Sequence, residues 1–314
     1  MKTKFASSIS ALTIFACSFS AMAADYPSKP IEVIIPYGAG GSTDTTGRVF
    51  INAIKKSLGA DVVPLNVAGA GGTIGMAQMF HSEPDGYTLG FSPIAPVTVQ
   101  PHLRKLPYGM DSFEPVCLVS DNPNVIAVAP DSELNSIDDL VALSKSGKVV
   151  AVGAAPGSMP HIVQAAVANA YGTKFTYLPA GNAANSAKAV LGGEATFSSN
   201  VSSMVSVNGL KGLAVLADER LVELPDIPTL KEQGEDLSLS IWFGLFAPQG
   251  TSEDKLDKLD EACSEAVQDP EFLEGMKKAQ SIVRYLPRSE FKEYYQEQFT
   301  NNKELLELIG VKAK

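Results

Sequence analysis

Ile31-Glu32-Val33-Ile34-Ile35-Pro36-Tyr37-Gly38-Ala39-Gly40-Gly41-Ser42-Thr43-Asp44 is the stretch whose reading decides the fold. A short apolar run of β-branched residues reads as a strand, and Pro36 stops it. A glycine-rich turn follows, and Ser42-Thr43-Asp44 has the composition of a helix start. From Thr43 to Leu58 the residues Val49, Phe50, Ala53, Ile54 and Leu58 recur on one helical face, and Gly59 closes the helix. Val62 to Val67 reads as a second strand. It leads into a second glycine turn, Gly69-Ala70-Gly71-Gly72-Thr73-Ile74-Gly75, and a helix from Thr73 to His81.

Outward from these two units the same alternation continues less regularly, as expected of an α/β protein with largely parallel sheets. Strands are expected at Thr88–Phe91, Phe113–Val119, Val125–Ala129, Val149–Gly153, Phe175–Leu178, Ala195–Ser198, Leu213–Ala217 and Ile241–Phe246. Helices are expected at Ile137–Ser146, Pro160–Ala170, Ala183–Leu191 and Thr229–Gln233. After Thr251, whose spacing to Asp254 resembles a capping box, the chain reads as helical and charge-rich to its end. Pro270 starts one helix there, and Phe291, Tyr294, Tyr295 and Phe299 line the face of the last. No repeat or low-complexity linker intervenes, so two domains would be joined by ordered strands.

Each glycine turn joins a strand to a helix start. Helix N-termini present unpaired N–H groups and a partial positive charge, and glycines let a ligand approach the backbone. Two such turns in consecutive units point to a shared anion site. The spacing at Gly69, Gly71, Gly72 and Gly75 departs from a dinucleotide fingerprint, and neither turn carries the Lys-Ser/Thr of a phosphate loop. No Lys or Arg occurs from Ser57 to Leu103, nor from Val149 to Thr173. A polyphosphate recruits cationic clamps; a carboxylate can be held by backbone N–H groups and the hydroxyls of Ser42, Thr43 and Thr73. Asp44 has two readings: it complements its own helix dipole and satisfies backbone donors, or it serves as an acceptor that orients the loop or as a contact to a ligand amine.

Composition bounds the rest. The 314 residues carry 25 Lys+Arg against 35 Asp+Glu, a formal charge of −10 that weighs against nucleic acid and anionic membranes. Lys2 and Lys4, the apolar stretch Phe5 to Phe19 and the small-x-small Ala21-Met22-Ala23 have the form of a cleaved signal peptide over residues 1–23. Its removal takes two lysines and no acid, leaving a charge of −12 and an exported protein of the periplasm. Ile14-Phe15-Ala16-Cys17 offers a weaker alternative as a lipoprotein box. Cys117 and Cys263 sit among apolar neighbours and read as small buried hydrophobes, with a disulfide as the other reading. There is no Gly-x-Ser-x-Gly elbow and no metal-ligand spacing among His81, His102 and His161. His161 follows Ser158, an N-cap candidate, and is either a capping-turn histidine or a ligand contact. No cofactor is implied.

The chain also resembles the TctC/Bug family of periplasmic solute-binding proteins, the receptors of tripartite tricarboxylate transporters. The resemblance spans the chain after residue 25. It rests on Tyr26-Pro27-Ser28-Lys29-Pro30-Ile31, Pro36 to Asp44, Gly69-Ala70-Gly71-Gly72, Pro84-Asp85-Gly86-Tyr87-Thr88-Leu89 and Gly157-Ser158-Met159-Pro160-His161. Leu191-Gly192-Gly193-Glu194, Leu224-Pro225-Asp226-Ile227-Pro228-Thr229-Leu230 and Trp242-Phe243-Gly244-Leu245-Phe246-Ala247-Pro248 complete it.

What the resemblance implies is an α/β, periplasmic-binding-protein type II-like fold. Two α/β lobes joined by hinge strands would close on a ligand in the cleft. Residues 24–124 and 242–314 would form a discontinuous first lobe, and residues 125–241 the second. The first lobe would hold a carboxylate through Tyr37, Gly38, Ala39, Gly40, Gly41, Ser42, Thr43 and Asp44, and through Ala70, Gly71, Gly72 and Thr73. Ser92 and Pro93 would face the cleft. Pro156, Gly157, Ser158 and His161, the loop Ala180-Gly181-Asn182, and Asn200 would contribute from the second lobe. The family often carries a lysine where this chain has Leu178-Pro179-Ala180-Gly181-Asn182, and an aspartate near Asn200. The first-lobe grip therefore transfers better than the second-lobe chemistry, and the lost cation weighs against citrate.

The expected ligand is a small carboxylate: a di- or tricarboxylate, an aromatic acid or an amino acid. The expected partners are the permease subunits of a tripartite transporter, with no nucleic acid, and the expected state is a monomer. The rival readings are an exported enzyme using Asp44 or His161 as base on a small acid, and the binding component of a sensor.

Overall fold

The computed structural model describes residues 26–311; the expected leader over residues 1–23, Cys17 included, lies outside the described residues. The opening stretch folds as its pattern dictates. β1 (Ile31–Ile35) is followed by α1 (Ser42–Leu58), whose Phe50, Ile51, Ala53, Ile54 and Leu58 are buried and whose C-cap is Gly59. β2 (Val62–Asn66), α2 (Thr73–Phe80) and β3 (Thr88–Pro93) complete the first unit, with β1 parallel to both β2 and β3. Two short helices follow, α3 (Ile94–Thr98) and α4 (Gln100–Leu103).

The chain then enters β4 (Phe113–Val128), a single strand where two were expected. The polar stretch Ser120-Asp121-Asn122-Pro123-Asn124 reads as a break, but neighbouring groups satisfy it. Asn122 Oδ1 accepts from Ile282 N at 2.8 Å and its Nδ2 donates to Ser120 Oγ at 2.8 Å. Asn124 Nδ2 donates to Leu239 O at 3.1 Å, and its Oδ1 accepts from Ser199 Oγ at 3.1 Å. Buried amides that find partners do not interrupt a strand.

A second parallel unit follows: α5 (Ile137–Ser146), β5 (Val150–Gly153), α6 (Met159–Ala170), β6 (Thr176–Pro179), α7 (Ala183–Leu191) and β7 (Phe197–Val201). β5 is parallel to β6 and β7. α8 (Ser202–Val207) and β8 (Lys211–Val215) come next. The expected helix at Thr229–Gln233 is only a 3-10 turn over Lys231–Gln233, hemmed between Pro228 and Gly234. β9 (Ser240–Pro248) then returns antiparallel to both β3 and β4.

The closing helices are α9 (Glu253–Ala266), α10 (Pro270–Lys278) and α11 (Arg288–Leu308), with β10 (Val283–Leu286) between the last two. Ser252, not Thr251, occupies the N-cap position of α9, without a side-chain cap bond, and the Thr251 hydroxyl donates to Pro248 O at 2.8 Å.

The strand order is β2-β1-β3-β9-β4-β7-β5-β6, with β8 and β10 also on β4. The expectation of largely parallel sheets is corrected accordingly. Parallel pairing is confined to the two ends, and every pairing made by β4 and β9 is antiparallel. β4 alone pairs with strands of both halves, through β9 in its first part and β7 and β8 in its last five residues.

Phe91 and Phe243 stack at 6.1 Å in the core, and Trp242, Phe246 and Phe291 pack beside them. Each such ring buried is worth about 2–3 kcal/mol. Cys117 and Cys263 are both fully buried, as small hydrophobes would be, but they form a disulfide. β4 and α9 pack with the two Cα atoms 6.5 Å apart, within bridging range. The bridge closes a 146-residue separation, worth about 5 kcal/mol in chain-entropy terms. It also fixes α9, against which α1 packs.

Candidate functional site

The first glycine turn is shaped by Asp44, which is buried. Its Oδ2 accepts from Gly40 N at 2.9 Å, and its Oδ1 accepts from Arg48 Nε at 2.8 Å and Asn66 Nδ2 at 2.9 Å. Asn66 Nδ2 also donates to Tyr37 O at 3.0 Å. Gly40 sits at φ +81°, a conformation L side chains rarely adopt. The network holds the turn so that α1 starts at Gly41 with no side-chain cap. The first N–H groups of a 17-residue helix thereby receive no side-chain cap from the N-cap residue. Asp44 satisfies a backbone donor at Gly40 and so holds the loop; both carboxylate oxygens have partners and the residue does not line the cavity.

Tyr37 connects the two glycine turns. Its hydroxyl donates to Gly71 O at 3.1 Å, and burial pushes the phenol far above its usual range. The second turn lies behind it. Gly72, at φ +90°, leaves room for Pro96, since a Cβ there would lie 2.5 Å from Pro96 Cγ. Thr73 Oγ1 donates to Ala70 O at 3.1 Å. Gly71 lies against Gln100, whose Nε2 donates to Pro156 O at 3.0 Å. That bond joins the β1–β3 half to the β5–β7 half.

The opposite wall is built by two more helix starts. Ser158 caps α6 in position only; its Oγ donates to Ala155 O at 2.7 Å and accepts from Ala155 N at 3.3 Å, and accepts from no N–H of the helix. His161 Nδ1 accepts from Gly157 N at 3.1 Å, and its ring rests on Tyr177 at 4.3 Å. Burial lowers the imidazole pKa, so His161 stays neutral in the capping turn. Asn182 caps α7 through Oδ1, which accepts from Asn185 N at 2.8 Å. Asn200, on β7 and 2% exposed, has an Nδ2 with no protein partner.

These starts meet. Tyr37, Gly41, Ser42, Thr43 and Pro93 face Ser158, Asn182 and Asn200 across a cavity of about 40 Å³. The N-termini of α1, α6 and α7 all reach it. The halves also touch directly: a Cβ on Gly41 would lie 3.4 Å from Asn182 Cβ, and one on Gly38 3.6 Å from Asn182 Nδ2.

The remaining expected residues are not part of the lining. Gly38, Ala39, Gly40 and Asp44 shape the first turn, and Ala70, Gly71, Gly72 and Thr73 buttress Tyr37 and Gln100. Ser92 turns its hydroxyl to Pro93 O at 2.9 Å. Pro156, Gly157 and His161 form the α6 capping turn, and Ala180 and Gly181 lead into α7. Sequence reasoning missed Ile94, Ala95, Ala154, Met159, Pro160, Ala183 and Ile241, all of which line the cavity. They are apolar and carry no signal that separates them from core. Among the described residues, no Lys, Arg, His, Asp or Glu lines the cavity.

Residues 46–311 match the model of the tripartite tricarboxylate transporter family receptor. The chain is 33% identical to protein BugT of Bordetella pertussis over 262 residues, 80% of each chain. It superposes on the periplasmic binding protein BugD with a TM-score of 0.86 at 29% identity, covering 92% of this chain and 100% of that one. MatC from Rhodopseudomonas palustris, solved with bound malate, matches with a TM-score of 0.84 at 23% identity, covering 90% and 100%. These structures share the two-lobed mixed α/β architecture of periplasmic binding proteins.

Proposed function

We propose a role for this chain from the premise that it belongs to the tripartite tricarboxylate transporter receptor family, a family of solute-binding receptors. The role is capture of a small carboxylate between two lobes and its delivery to the membrane subunits of such a transporter. The lobes are residues 24–124 with 242–314, and residues 125–241, with β4 and β9 as the crossing strands. The periplasm is the compartment in which a leader over residues 1–23 would place it. Among the described residues no helix is long and apolar enough to cross a membrane.

One observation carries the reading: three helix N-termini and the unpartnered Asn200 amide meet at one cavity walled from both halves. Each terminus contributes up to about 2 kcal/mol toward an anion. Three together approach, without reaching, the roughly −8 kcal/mol of micromolar affinity. The hydroxyls of Ser42 and Thr43, the Asn200 amide and exclusion of water supply the remainder. A ligand bridging both walls stabilises the closed state over the open one by its differential contacts. The malate bound to MatC is consistent with a carboxylate, at the level of shared fold.

Two side chains an enzyme could use as base, Asp44 and His161, are both committed to shaping loops. That favours binding over turnover.

A thermal-shift screen of carboxylates against neutral sugars tests the reading. An acid at 100 times its dissociation constant should add about 2.7 kcal/mol of stability. Stabilisation by a neutral sugar, with none by any acid, would end it.

A further inference from the structure

The two halves also meet away from the cavity. Gln100, on α4 in the β1–β3 half, is fully buried. The one hydrogen bond its side chain makes among the described residues crosses to Pro156 O of the other half at 3.0 Å. Its Oε1 is buried without a partner. A buried amide with an unmet polar atom costs free energy, and no side-chain bond within its own half offsets that cost.

Glycines on both sides make the insertion possible. A Cβ on Gly71 would overlap Gln100 Nε2. One on Gly157, in the other half, would lie 2.7 Å from the same atom and 2.7 Å from Leu103 Cδ1. Both glycines hold positive φ, +72° and +76°. None of Gly71, Gln100, Pro156 and Gly157 lines the cavity, but Ser158, Met159 and Pro160, which follow at the start of α6, all do.

Resting on the reading of capture between two lobes, we propose that Gln100 is a positioning residue: a latch that holds the halves together without ligand, so that the closed form is populated before anything binds. The bond touches no part of the cavity, so it forms whether the cavity is empty or filled. It therefore contributes equally to the empty and the filled closed states. The apparent dissociation constant rises as the closed fraction of the free chain falls, which lets a residue outside the lining set affinity. The same bond holds Pro156-Gly157 against the first half, and so fixes where the start of α6 meets the cavity. A single neutral hydrogen bond shifts the closed-to-open ratio about two- to tenfold. That is enough to bias the halves and too little to lock them against entry.

The test needs no ligand. Small-angle X-ray scattering of the full chain, freed of ligand, compares wild type with Gln100→Met, which keeps the bulk and loses the amide. Gln100→Met should show the larger radius of gyration, with an unchanged far-ultraviolet circular dichroism spectrum. Gly157→Ala pushes on the same contact from the other half and should expand the ligand-free chain in the same way. If Gln100→Met does not fold, as judged by its melting curve, Gly157→Ala decides alone.

A folded variant whose scattering superimposes on wild type overturns the latch and leaves carboxylate capture standing. A thermal-shift screen in which no acid stabilises the chain removes the carboxylate reading and leaves the scattering result untouched.

Discussion

The two glycine turns are nearly the same words in the sequence, Gly38-Ala39-Gly40-Gly41 and Gly69-Ala70-Gly71-Gly72, and they do different jobs. The first ends at an uncapped 17-residue helix whose opening residues line the cavity. The second passes through a 3-10 turn into an eight-residue helix and packs against Tyr37, Pro96 and Gln100. One turn presents backbone to a ligand, and the other presents backbone to side chains that brace the first. Local sequence specifies a glycine turn before a helix. What stands opposite the turn decides whether the free N–H groups meet a ligand or a neighbour.

The contrast breaks most sharply by putting a side chain into each turn. Gly72→Ala places a Cβ at φ +90° and 2.5 Å from Pro96 Cγ. A stability loss of about 3 kcal/mol is expected from the left-handed conformation plus overlap. A melting curve should show it as a drop of about 2–4 °C per kcal/mol; an unchanged melting point would contradict the bracing role. Gly41→Leu extends a side chain past Asn182 into the cleft, where room beyond the Cβ is short. About a hundredfold loss of affinity, near 2.8 kcal/mol, should accompany an almost unchanged circular dichroism melt. If both variants lose stability and keep affinity, the two turns are equivalent after all.

Smaller changes sharpen it. Tyr37→Phe removes the hydroxyl that links the turns through Gly71 O. It leaves a buried carbonyl unsatisfied at about 1–1.5 kcal/mol, to be read from denaturant midpoints. Gln100→Leu removes the bond to Pro156 O that joins the halves behind the second turn. It should weaken binding about three- to fivefold, with the loss appearing mainly in the dissociation rate. A stopped-flow measurement showing only a slower association would point away from a closed-state contact.

Much of the fold was legible because its signals are local. The β1 bounds, the α1 face from Phe50 to Leu58 and the Gly59 cap follow from period and punctuation within twenty residues. Helices at Ile137–Ser146 and Ala183–Leu191 were legible for the same reason. β4 was not, because Asn122 and Asn124 read as polar loop residues until Leu239, Ser199 and Ile282 are placed beside them. The disulfide was open in the sequence, since two cysteines 146 residues apart say nothing of the 6.5 Å between their Cα atoms. The apolar half of the cavity lining was silent. Ile94, Met159 and Ile241 look like core in one dimension and become walls only when two halves meet.

The acidic balance separates in the same way. The formal charge of −10 belongs to the whole chain, and salt screens it beyond about 8 Å. Inside the cavity no charged side chain is present among the described residues, and the field comes from oriented peptide groups. By itself the sequence determined that this is an α/β chain with glycine turns before helices, few basic residues near them, and neither a Gly-x-Ser-x-Gly elbow nor a metal-ligand spacing among its histidines. Those properties are written in composition and short-range period. Only the tertiary structure decided that α1, α6 and α7 aim at one point, that Asp44 and His161 serve their own loops, and that Asn200 is left with a donor to satisfy. Convergence of the three helix ends brings α1 against two helices that start more than a hundred residues later, a relation set by sheet order that no local signal encodes.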